Sequence, residues 1–171
     1  MNWNAFSKDQ YIETMKSAIG WYLMAKQLMR ASHVLLEQMK KDEQVEETES
    51  LTSVFMLVSG LALENCIKGI ATVRGNLFDL SRMKMALSGS KSGHSELEVY
   101  LYDQQIFLSE SEKDLLRRLS GYIKRDGRYH VDKEFKNADS QKMRRIYFSP
   151  EDPERIDAMY VMLSQYLLRA M

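Results

Sequence analysis

Apolar residues recur at three- and four-residue spacing from Tyr11 to Met39, and a chain patterned this way must bury one face of a helix. The stripe is Tyr11, Ile12, Met15, Ala18, Ile19, Tyr22, Ala25, Leu28, Met29, Leu35, Leu36 and Met39. Ser7, with Gln10 three residues on, predicts its start. Unbroken, such a helix would run about 50 Å, with Gly20 a point where it bends. A second run, Leu51 to Val73, is apolar around nearly all its faces, carrying Val54, Phe55, Met56, Leu57, Val58, Leu61, Ala62, Leu63, Ile67 and Ile70. A helix apolar all round belongs at the centre of a fold. The two are expected to form a long antiparallel pair that organises an all-α bundle.

Little else interrupts helix. The chain has two prolines, Pro150 and Pro153, and eight scattered glycines. Leu77, Phe78, Leu80, Met83 and Leu87 predict a short helix, followed by the polar stretch 88–93. Two capping boxes come next: Ser95 with Glu98, then Ser109 with Glu112, the latter opening a helix that carries Leu115, Leu116, Leu119, Tyr122 and Ile123. A last helix is capped by Ser149 or Asp152, with proline at its start and acids in its first turn. Ile156, Met159, Tyr160, Leu163, Tyr166, Leu167 and Ala170 keep its period. At 171 residues, with no internal repeat, the chain reads as one domain, 1–171.

The single cysteine, Cys66, excludes an internal disulfide and fits a reducing compartment. The opening residues lack a basic stretch followed by an apolar one, so no signal peptide is read. Glu64, Asn65 and Lys68 interrupt the most apolar run, which reads as a core helix and not a membrane span. The cytoplasm is the expected location. Net charge is zero, against a general nucleic-acid coat role and against DNA binding. Acids nevertheless concentrate between Glu37 and Ser50, and bases between Lys124 and Arg145.

Catalytic signatures are sparse. The chain has no HExxH, paired CxxC, Gly-rich phosphate loop or GxSxG. His33, His94 and His130 lie too far apart for metal-ligand spacing, so neither a metal nor a cofactor is expected. The methionines sit within apolar stripes and read as core filling.

Three segments carry a likeness. They are Ala62-Leu-Glu-Asn-Cys-Ile-Lys68, Gly93-His-Ser-Glu-Leu97 and Gly127-Arg128-Tyr129-His130-Val131. In that order they resemble a bacterial group of the HEPN superfamily, which tends to carry A-x-E-x-x-x-K, G-H-x-x-L and G-R-Y-P-V. The likeness covers residues 51–131. His130 stands where that group usually has proline. The resemblance implies a HEPN-like bundle that forms homodimers and acts as an interaction module in a bacterial stress or defence system. An antitoxin or other protein would then be its partner.

Many HEPN proteins are metal-independent endoribonucleases with an R-x(4–6)-H motif shared across a dimer interface. Arg125 and His130 have that spacing, with Asp126 directly after the arginine. The resemblance thus implies an alternative: His130 moves a proton to or from RNA while Arg125 stabilises charge on the phosphate. Arg144 and Arg145 would add phosphate contacts. The structural reading of the same region has Tyr129 packing on the bundle and Arg128 pairing with a buried acid, Glu64. Lys68, four residues on from Glu64, is the other candidate partner.

Overall fold

The computed structural model describes residues 13, 16–41, 48–75, 78–79, 84–85, 101–102, 105–123 and 147–171. The fold is all-α. Four helices are described: α1 (Ala18–Lys41), α2 (Thr48–Val73), α3 (Glu110–Gly121) and α4 (Asp152–Ala170).

The first apolar stripe does not make one continuous helix. Lys16 and Ser17 are not helical, and the Ser17 hydroxyl accepts a hydrogen bond from the Gly20 N–H at 3.1 Å. Ser17 thus takes a free N–H at the start of α1, so the break falls there and not at Gly20. The expected start at Ser7 lies outside the described residues.

α2 is central, as its all-round apolar surface requires. It packs against α1, α3 and α4. Its length and composition alone match a membrane span, yet 72% of the apolar window is buried inside the bundle. Lys68, near its C-terminal end, lies over the ring of Trp21 near the start of α1, so these helices run in opposite directions. α4 runs the same way as α2: Cys66 meets Ser164, and Gly69 faces Leu167.

Two glycines let neighbours approach α2. A Cβ at Gly69 would lie 2.6 Å from Leu167 Cδ2, and one at Gly60 would lie 3.0 Å from Ile123 Cδ1. α2 ends at Val73, and Gly75, two residues on, takes a φ of +74° that suits a chain leaving a helix terminus.

Beyond it the expected short helix is not formed. Phe78–Asp79 and Lys84–Met85 pair as two-residue antiparallel strands, Phe78 opposite Met85 and Asp79 opposite Lys84. A helix would hold Phe78 and Met85 about 10 Å apart, whereas a ladder needs about 5 Å. The Ser95–Glu98 box lies outside the described residues, but Leu101 and Tyr102 are helical. Their turn closes through Ile106 N–H to Leu101 C=O and Gln105 N–H to Tyr102 C=O, each 2.9 Å, with Gln105 at φ 60°. That is a Schellman closure with glutamine where glycine is usual.

The second capping box forms as expected. Glu112 N–H donates to Ser109 Oγ at 3.3 Å, and Ser109 N–H donates to Glu112 Oε2 at 2.7 Å. Leu115, Leu116, Leu119, Tyr122 and Ile123 are all buried. In α4, Ile156, Met159, Leu163 and Leu167 join the core, whereas Tyr166 points outward.

Candidate functional site

Charges inside an apolar bundle need partners, and those they find show what each is doing. The strongest is Arg118, on the buried face of α3. Its Nη1 and Nη2 donate to both oxygens of Asp152 at 2.5 and 2.8 Å, and Asp152 is wholly buried. Arg118 Nε donates to Asp114 at 3.0 Å, and Nη1 also reaches the Tyr147 carbonyl at 3.0 Å. The Tyr147 ring lies 4.6 Å from the guanidinium carbon. Asp152, then Asp114, hold the guanidinium above its ordinary pKa against the opposing effect of burial. Asp152 also accepts the Ser149 N–H at 2.8 Å. The expected cap at Ser149 or Asp152 is not formed: Glu151 holds the N-cap position of α4 with no side-chain cap bond, and the carboxylate of Asp152, the first residue of α4, instead joins the start of α4 to the end of α3.

Glu64 and Lys68 form an ion pair at 2.6 Å, with both side chains largely buried. The alternative left open for Glu64 includes Lys68 as a real partner, and Trp21 covers that lysine at 5.3 Å. Further along the α2–α4 contact, Cys66 Sγ lies 3.7 Å from Ser164 Oγ. Burial pushes the Cys66 thiol up to about 11, with the Ser164 contact opposing. Such a thiol is not poised for nucleophilic chemistry near neutral pH.

Arg125, Asp126, Arg128, Tyr129, His130, Arg144 and Arg145 all lie outside the described residues. The described residue nearest to Arg125 in sequence is Ile123. Ile123 is buried, seated on the Gly60 surface of α2 two residues before Arg125. Among the described residues no group of His, Cys, Asp and Glu is placed to hold a metal ion.

The surface is less ordinary than the core. Tyr102 and Phe107 are 66% and 70% exposed, yet their rings stack edge to face at 5.6 Å across the Gln105 turn. Among the described residues, α2 exposes only Val54 of its large apolar side chains and α3 exposes none. By contrast α1 exposes Ile19, Leu23, Met24 and Val34, and α4 exposes Val161, Tyr166 and Leu168. His33 on α1 and Asp157 on α4 meet at 2.8 Å between these surfaces. The period had assigned Ile19 and Tyr166 to the core; they lie at its uncovered edges. In comparisons with protein-family models, with curated proteins and with solved structures, nothing matches this chain.

Proposed function

We infer that the chain is a non-catalytic interaction module of HEPN-like architecture that self-associates as a homodimer in the bacterial cytoplasm. The observation that supports this reading best is the division of labour among its side chains. Arg118 and Asp152 are engaged in tying α3 to α4, and Glu64 and Lys68 in pairing within α2. Large apolar groups are meanwhile left in water on α1 and α4. Exposed apolar surface of that kind marks association sites. Light scattering on the purified chain across a concentration series tests it. A dimer mass supports the module, and a monomer at every concentration with no partner recovered removes it.

The alternative is a metal-independent ribonuclease built on Arg125 and His130. What supports it is the spacing of Arg125 and His130 in the sequence, with Asp126 directly after the arginine. Cleavage of structured RNA in EDTA by the wild type, abolished in Arg125→Ala and His130→Ala, supports this reading. Equal cleavage by all three, or none by the wild type, removes it.

A further inference from the structure

We draw no further inference here: the strongest candidate, the exposed apolar surface patch of α1 and α4 on either side of the His33–Asp157 bond, carries Glu37 and Glu154 as well as Lys26 and Arg30, so nothing in the structure shows what covers it.

Discussion

Arg118 grips Asp152 through two parallel hydrogen bonds, and this pair, 34 residues apart in sequence, joins the end of α3 to the start of α4. The carboxylate is wholly buried, so removing either partner strands a charge in a medium that solvates it poorly.

Arg118→Ala and Asp152→Ala are therefore each expected to lower unfolding stability by about 3–5 kcal/mol. Arg118→Lys should rescue little, since an ammonium cannot span both oxygens. The double replacement Arg118→Met with Asp152→Leu should cost less than either single alanine change. Urea unfolding midpoints measure all four, and single-variant losses below about 1 kcal/mol would show that the pair is dispensable.

Gly69→Ala should destabilise despite the better helix propensity of alanine. Its new methyl would lie 2.6 Å from Leu167 Cδ2, and Leu167, fully buried, has little room to turn aside. A net loss of about 1–2 kcal/mol is expected, overpacking outweighing propensity. Leu167→Ala in the Gly69→Ala background should be milder than in the wild type, as read by thermal melts.

Gln105→Gly should act in the opposite direction. A non-glycine residue at φ 60° carries a steric cost of about 1–2 kcal/mol, which exceeds the entropy that glycine loses on folding. A gain of roughly 0.5–1 kcal/mol is expected, with Gln105→Val a loss. Equal stability of all three proteins would sink the argument.

Cys66 should be nearly inert in the folded protein. A folded pKa raised from 9.0 to about 11 stabilises the native state fully below pH 9. That stability is lost as pH rises through about 11, since only the unfolded chain ionises freely in between. The loss is of order 3 kcal/mol. Cys66→Ala should abolish this alkaline slope, and a thiol reagent at pH 8 should label the wild type only at the rate of opening. Rapid stoichiometric labelling would contradict the burial.

Some of this architecture was legible in the sequence because its signals are local. α2 reads as central from its own apolar surface, and Ser109–Glu112 needs only four residues to define a helix start. The Arg118–Asp152 clamp escaped notice because its halves are distant, yet a signal was present. Arg118 stands three residues after Leu115 and four before Tyr122, and Asp152 stands four before Ile156. Opposite charges on two apolar faces invite pairing. Periodicity also misplaced Ile19 and Tyr166, because a stripe does not reveal which of its edges a neighbour will cover. For Glu64 the sequence offered two partners, Arg128 and Lys68; the bond to Lys68 is the one described. The Arg125–His130 spacing remains a reading of the sequence, since both residues lie outside the described part.

Ile123 and Tyr147 are the described residues on either side of 124–146, and Arg118 holds the Tyr147 carbonyl from the same helix whose end carries Ile123. Both attachment points are thus staked to a single scaffold element. A substitution that shifts α3 would therefore displace both flanks together, so the two ends answer to one helix.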